Sequence, residues 1–526
     1  MISLSSIPIV LVVASVAIPL VHLEPGALAQ RRGVIGLLPW LMPVLALVTC
    51  LAGAFSEYRV LATVAAVAYI AGAVVLGAMS ASRALSRPRF ESSELGLAAG
   101  WIWVVGGGVW MGVFASDTLL LGFGGGWALL TGAHFHAAGF AAISVTALVA
   151  RAVPAARYLL PLHLVTFVAV AIGLTGSMWL ERVGAALYAV LFLVQLGLVL
   201  RSGIWRRRYG WLLLIALSVP LWTMALALNW AYGFRALSMT EMVWLHGAVN
   251  AVGHGLLGIV ACVAMRLLPS TPAIEAPFSK AQASGSLTPA FVEALKAVSP
   301  RPVHGLTDDF TAYAAPGFDA SLVHPDIADF YERTDTYELT AEHVWQRGFV
   351  FGGRLFARFG QLMGQLGLPG PDADADEMTN TIVDIDDAMD GRSNVRGWVR
   401  TWRRSGRTLY VALYSEHERA DSRYMNIAFP LPFGSMTSIL TLQNTGTGGL
   451  TLTTVPDESP SDRGIYLRLF GGRPWRLPLN ETITVARSED GLSARHDMWF
   501  AGRLFLRLSY RMNATTGLRH ATRTDP

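Results

Sequence analysis

The sequence predicts a polytopic α-helical membrane bundle of about nine spans, followed by a soluble α+β domain dominated by an antiparallel, barrel-like sheet. Three observations predict it. Of 526 residues, 53% are hydrophobic and only 15% charged, against about 25% charged in a soluble chain. The deficit is uneven: apolar runs dominate up to about Leu268, and beyond it charge returns to the soluble level. After Asp384, short strand-like runs recur at regular spacing between Gly, Asn and Pro turns. The chain therefore divides into a transmembrane helical domain, 1–268, a Ser-, Pro- and Ala-rich linker, 269–302, and a β-rich domain, 303–526.

The spans are expected at roughly 2–21, 34–54, 60–82, 95–115, 126–150, 158–179, 183–200, 211–231 and 242–267. Ile2 to Val21, followed by Ala27-Leu28-Ala29, has the outline of a secretory signal. No Lys or Arg precedes the run and the run is long, so an uncleaved first helix is expected. The connections after odd-numbered spans hold eleven arginines (Arg31, Arg32, Arg83, Arg87, Arg89, Arg151, Arg157, Arg201, Arg206, Arg207, Arg208). The others hold three, Arg59, Arg182 and Arg235. This bias places the N-terminus outside and the chain after Leu268 in the cytoplasm. The formal net charge is only +4 and its Arg clusters flank apolar runs, which argues against a nucleic-acid partner. The lipid bilayer is the expected surrounding. Cys50 and Cys262 both lie in apolar runs and suggest neither a disulfide framework nor a zinc finger.

Glycines punctuate two places. Gly106-Gly107-Gly108 is expected to interrupt the fourth span, and Gly122-Phe123-Gly124-Gly125-Gly126 to break the chain before the fifth into a re-entrant piece and a true span. Close helix packing by small residues is the alternative. Pro43 and Pro220 are expected to kink spans two and eight.

The last span, Met242 to Ala264, carries no Asp, Glu, Lys or Arg, yet holds His246, Asn250 and His254 at i, i+4 and i+8, one polar stripe on one face. Polar groups at membrane depth face a bundle interior or a cavity. His134 and His136 in span five sit at similar depth. They lie about 200° apart on a helix, so at most one can face a given site unless the helix is unwound there. His246 and His254 are about 12 Å apart along the axis, too far for one ion to touch both. His163 runs in the inner half and is expected to be separate. A polar site is expected from His134, His136, His246, Asn250 and His254. Three readings fit: interhelical hydrogen bonds, a transport or proton pathway, or a metal or haem centre.

The segments Ala133-His134-Phe135-His136-Ala137-Ala138-Gly139-Phe140 and Trp244-Leu245-His246-Gly247-Ala248-Val249-Asn250-Ala251-Val252-Gly253 resemble those of the bacterial YndJ-like membrane proteins. That family's pattern is H-F-x-x-A-G-F in one span and H-G-x-x-N-A-x-G in the last. The resemblance covers about the first 270 residues. His254 departs from it, standing where an aromatic residue is expected after Gly253. The resemblance implies a transporter-type membrane protein without naming its substrate.

In the second half, helices are expected near Pro289–Val298, at His324–Arg333 and at Phe349–Leu366, the last amphipathic enough to lie on a membrane surface or cap a sheet. Nine strands are expected: Val395–Arg403, Thr408–Ser415, Tyr424–Phe429, Thr437–Gln443, Leu450–Val455, Ile465–Phe470, Glu481–Arg487, Leu492–Phe500 and Arg503–Tyr510. Such a barrel can hold a small-molecule or lipid ligand, or simply a filled core. Asp372, Asp374 and Asp376 begin like a calcium loop, but Glu377 and Val383 stand where an EF-hand needs Gly and Glu. Asp384, Asp386, Asp387 and Asp390 near Arg392 and Arg396 suggest a cation site or, more simply, a solvated turn. No Walker loop, G-x-S-x-G or H-E-x-x-H occurs, so no catalytic residue is indicated; the motifs lean against an enzyme and leave any cofactor or metal unspecified.

Overall fold

The computed structural model describes residues 6–22, 34–233, 237–269, 272–283, 289–297, 300–363, 370–371, 376–403, 406, 408–419, 422–456 and 461–515. The Ala-x-Ala stretch and Asp372 and Asp374 lie outside them. The chain forms two compact units, Met1–Ala84 with Phe90–Thr271, and Leu85–Arg89 with Pro272–Pro526.

Unit 1 is helical. It comprises α1 (Ile7–Ser15), α2 (Ala17–Val21), α3 (Val34–Gly53), α4 (Arg59–Leu85), α5 (Ser92–Ala115), α6 (Gly125–His134), α7 (Ala142–Ala150), α8 (Leu159–Gly176), α9 (Met178–Ser202), α10 (Gly210–Ala231), α11 (Met239–Met242) and α12 (Leu257–Ala264). A π segment, Phe135–Ala141, joins α6 to α7, and two more, Val243–Ala248 and Asn250–Leu256, join α11 to α12. Among the described residues eight helices are long and apolar enough to cross a membrane, each joined pair counting once. The first apolar run is shorter. Ile7–Val21 rises only about 22 Å at 1.5 Å per residue, against a hydrocarbon core of about 30 Å. Pro19 has no N–H for the Ser15 carbonyl, and the helix breaks at Val16.

Gly106-Gly107-Gly108 does not interrupt its span, because α5 runs unbroken through it. The glycines are there for close approach. A Cβ on Gly106 would lie 2.5 Å from the Phe135 ring, and one on Gly107 2.5 Å from His136 Cε1. The second cluster does end a segment, but as a turn closed by a Leu120–Phe123 bridge, with α6 starting at Gly125. No helical re-entrant piece precedes it. Pro39, Pro43 and Pro220 remain inside helices. At the arginine-rich end Glu94 is fully buried against Arg151 (2.5 Å) and Arg83 (3.5 Å), and Arg151 also donates to the Leu267 carbonyl at 3.0 Å.

Unit 2 carries α13 (Pro289–Leu295), α14 (Pro325–Glu332), α15 (Val350–Met363), α16 (Asp387–Asp390) and twelve strands: β1 (Tyr337–Trp345), β2 (Asp376–Asp384), β3 (Arg396–Trp402), β4 (Thr408–Arg419), β5 (Ser422–Leu431), β6 (Gly434–Asn444), β7 (Leu450–Thr453), β8 (Gly464–Leu469), β9 (Trp475–Arg476), β10 (Leu479–Ser488), β11 (Gly491–Phe500) and β12 (Arg503–Ala514). Ten of them close an antiparallel ring in the order β5-β4-β3-β2-β1-β12-β11-β10-β7-β6, with β6 returning to β5. Strand β8 also pairs with β6, and β9 with β8. All ten ring strands place a residue in one core, Leu339, Trp398, Met425, Leu440, Val485 and Met512 among them. Phe310, Ile327, Phe330 and Tyr331 pack against that core from one side. Arg400 is buried with them, its guanidinium 3.6 Å over the Trp398 ring and 4.9 Å from that of Tyr410. The stretch expected as a linker contributes Ala281, Ala283, Val292 and Leu295 to a second buried cluster with Val383, Val395 and Leu413.

Candidate functional site

The polar stripe sits where α10 and the final helix meet. Pro220 in α10 lacks an N–H, which leaves the Ala216 carbonyl without its helical donor. His254 takes that carbonyl, Nδ1 to Ala216 O at 3.0 Å. Two turns earlier on the same helix, His246 Nδ1 donates to Thr223 O at 3.0 Å. Asn250 lies between them. Its Nδ2 donates to His246 O at 2.7 Å and its Oδ1 accepts from Thr223 Oγ1 at 3.0 Å. Both ends of the amide are thereby used to hold the wall.

Opposite stands His134, whose Nδ1 donates to Leu130 O at 2.9 Å. His134, His246, Asn250 and His254 line one cavity, with about 70 Å³ of room for the centres of water-sized molecules. One water needs about 10–15 Å³ by this measure. The remaining wall is apolar or aromatic: Ile7, Val10, Ala137, Met224, Tyr188 and Phe192 among others. A carbonyl only accepts, so each of the three imidazoles carries its proton on Nδ1 and keeps a lone pair on Nε2. The cavity is thus an apolar chamber with hydrogen-bond acceptors set in its wall.

His136 is elsewhere. It is fully buried, accepting from the Tyr69 hydroxyl at Nε2 (2.5 Å) and donating from Nδ1 to Gly132 O (2.7 Å). Gly107, without a side chain, makes room for its ring. His163 is not in the wall but is less isolated than its position in the sequence suggests. The Phe192 ring centroid lies 4.9 Å from that of His254 and 6.0 Å from that of His163. Tyr69, Tyr188, Phe192 and Thr223 were missed by sequence reasoning, being ordinary residues of other spans. Only Pro220 carried a signal, since a proline inside a span advertises a free carbonyl four residues earlier.

Among the described residues no group of three or more His, Cys, Asp or Glu side chains is placed to hold a metal ion. The acidic turn is engaged by the chain itself. Asp384 pairs with Arg301 at 2.7 Å, and Asp390 with Arg392 at 2.6 Å and with the Ser279 hydroxyl at 2.5 Å. Asp386 caps α16 through Ala388 N, and Asp387 accepts from Asn394 N and Val395 N. Burial alone would raise the Asp384 carboxyl, but the hydrogen bonds from Arg301 hold it below its ordinary range.

Residues 8–254 match the model of a family described as YndJ-like protein. The chain is 29% identical over 427 residues, 79% of its length and 78% of the relative's, to a protein of Bacillus subtilis (strain 168) described as uncharacterized membrane protein YndJ. No solved structure matches.

Proposed function

We propose, from the premise that the membrane unit is YndJ-like over residues 8–254, that the chain is a transporter-type protein of the cell membrane. Its cavity would receive a small polar solute bearing N–H or O–H donors. The observation supporting this is the set of three imidazoles, each anchored at Nδ1 to a carbonyl, in a chamber otherwise apolar. Fixed acceptors in an otherwise apolar wall favour a ligand that supplies donors, because an unmatched acceptor there is disfavoured. Asn250 acts as a bracket for His246, not as a ligand group. The arginine bias supports a cytoplasmic second unit with the N-terminus outside. The placement of that unit does not depend on the short first helix. The loops after α4, α7 and α9 are all arginine-rich, and α11–α12 runs in the same sense as α4.

The test uses a cysteine introduced at Ala137, on the cavity wall. The two native cysteines are buried, so background labelling is low. Ala137→Cys in intact cells is expected to react with a membrane-impermeant thiol reagent, and a solute that fits the cavity to protect it. Protection is expected to vanish in the double variant with His246→Ala. An Ala137→Cys variant that reacts neither in cells nor as detergent-purified protein would refute a water-accessible cavity.

A further inference from the structure

We propose that His254 and His163 form a proton relay leading out of the cavity toward Thr146 and Gln195, with the Phe192 ring as the gate between the two imidazoles. The relay rests on the cavity reading only for where the proton comes in.

The two rings are alike in an unusual respect. His254 spends its Nδ1–H on Ala216 O, and its Nε2 has no hydrogen-bond partner although the residue is buried. His163 is turned the other way. Thr146 Oγ1 has one hydrogen, which lies between Gln195 Oε1 and Ala142 O, both at 3.1 Å; with that hydrogen so placed, its lone pair accepts from His163 Nε2 at 2.7 Å. That leaves the His163 Nδ1 lone pair without a partner too, and again the residue is buried. Two imidazole lone pairs therefore stand unsatisfied in the bundle interior, their rings packed against the same Phe192 ring. Buried acceptors are rarely left without a partner, so each of these lone pairs calls for a water or a proton to meet it.

Beyond them the polar character continues. Gln195 and Thr166 are fully buried, and Gln195 Nε2 and Thr166 Oγ1 likewise have no partner. Thr146 lies about 7.5 Å along the helix from Arg151, at 1.5 Å per residue, and Arg151 belongs to the ion cluster with Glu94. The titratable side chains in ring contact with the pair are the two histidines themselves and Tyr188, whose hydroxyl donates to Ala138 O at 3.2 Å.

The proton count closes at each step. Water in the cavity gives a proton to His254 Nε2, making that ring an imidazolium. When the Phe192 ring swings aside, the N–H bond at His254 breaks as one forms at His163 Nδ1, and His254 is neutral again. His163 then releases its Nε2 proton to Thr146 Oγ1, which passes its own hydroxyl proton to water on the Gln195 side. No electron moves and no oxidant is needed. The His163 tautomer must reset before the next proton, which makes this a one-at-a-time device.

The experiment is proton flux with the full chain in phosphatidylethanolamine–phosphatidylglycerol liposomes that enclose a pH-sensitive dye. Valinomycin and a potassium gradient supply an inside-negative potential. Wild type is expected to acidify the interior well above protein-free liposomes. His163→Gln is expected to lower that flux by about a hundredfold, the usual scale for removing a positioned proton-transfer group. Thr146→Val should lower it as well, while Phe192→Ala should raise it. Thr146→Val keeps the test decisive should His163→Gln fail to fold. Wild-type flux equal to that of empty liposomes, or full flux in a folded His163→Gln or Thr146→Val, would overturn the relay. A chain that moves protons and whose Ala137→Cys variant is labelled, but which no solute protects, would refute the solute reading and keep the relay; labelling with solute protection but no proton flux would remove the relay alone.

Discussion

Replacing Gly107 by alanine is expected to destabilise the membrane unit, although alanine is the better helix former. In a helix with free space the exchange gains about 1 kcal/mol. At Gly107 the new Cβ would stand 2.5 Å from His136 Cε1 and 2.7 Å from its Nδ1, where ordinary contact begins at 3.4 Å. His136 cannot move aside freely, being held by the Tyr69 hydroxyl at 2.5 Å and by Gly132 O at 2.7 Å. Overpacking of this kind costs about 1–3 kcal/mol, and a lost hydrogen bond inside a membrane bundle adds about 0.6 kcal/mol. The balance is a net loss of about 0.6–2.6 kcal/mol. Gly112 in the same helix supplies the control. A Cβ there meets only Ala66 Cβ at 4.0 Å, so Gly112→Ala should stabilise by up to about 1 kcal/mol. Equilibrium unfolding in mixed micelles titrated with dodecyl sulfate, read by far-ultraviolet circular dichroism, gives both values. Shifts of the same sign at the two positions would refute the packing argument.

Two further outcomes follow from the structure. Asn250→Ala removes two hydrogen bonds and should lower stability by about 1.2 kcal/mol on the usual membrane scale of ~0.6 each; the same micelle titration reads it, and no loss would mean that the bracket is not formed. In unit 2, burial alone would raise the Glu481 carboxyl, but the hydrogen bond and charge of His496, at 2.8 Å, outweigh it and hold the group below its ordinary range. A lowered carboxyl stabilises the fold above its unfolded value and loses that contribution as pH falls through the folded one. Wild type should therefore lose stability more steeply than Glu481→Gln as pH drops below about 4.5; parallel melting curves would refute this.

Much of the architecture was legible because membrane burial and strand pairing leave local marks. Each of the nine expected strands overlaps an observed one. Strands β1 and β2 escaped notice for a physical reason. In β1, Glu338, Thr340 and Glu342 alternate with Tyr337, Leu339 and Ala341, and the small Ala341 blurs the apolar face. Strand β2 begins with Asp376 and Glu377 and depends on its neighbours for its place. The glycine triplet shows the limit in the other direction. A run of glycines reads locally as a break, whereas its cause lies in side chains of other helices, Phe135, His136, Ile70 and Tyr69, pressing against α5. The polar stripe of the last helix could be read from spacing, but not the carbonyls that receive its imidazoles or the Phe192 ring that both His254 and His163 touch.

The ring of unit 2 also sets an order of events in time. Strand β1 lies between β2 and β12, and its outermost register pairs Tyr337 with Ala514. Those two residues leave the ribosome about 180 residues apart, a wait of about 9–35 s at ~5–20 residues per second. Until then one edge of β1 has no neighbour, and an unpaired strand edge is a template for wrong pairing. By that moment every membrane helix has been made. Chains cut short before Arg503 lack the closing strand altogether, so a nearly complete product would be as aggregation-prone as a much shorter one.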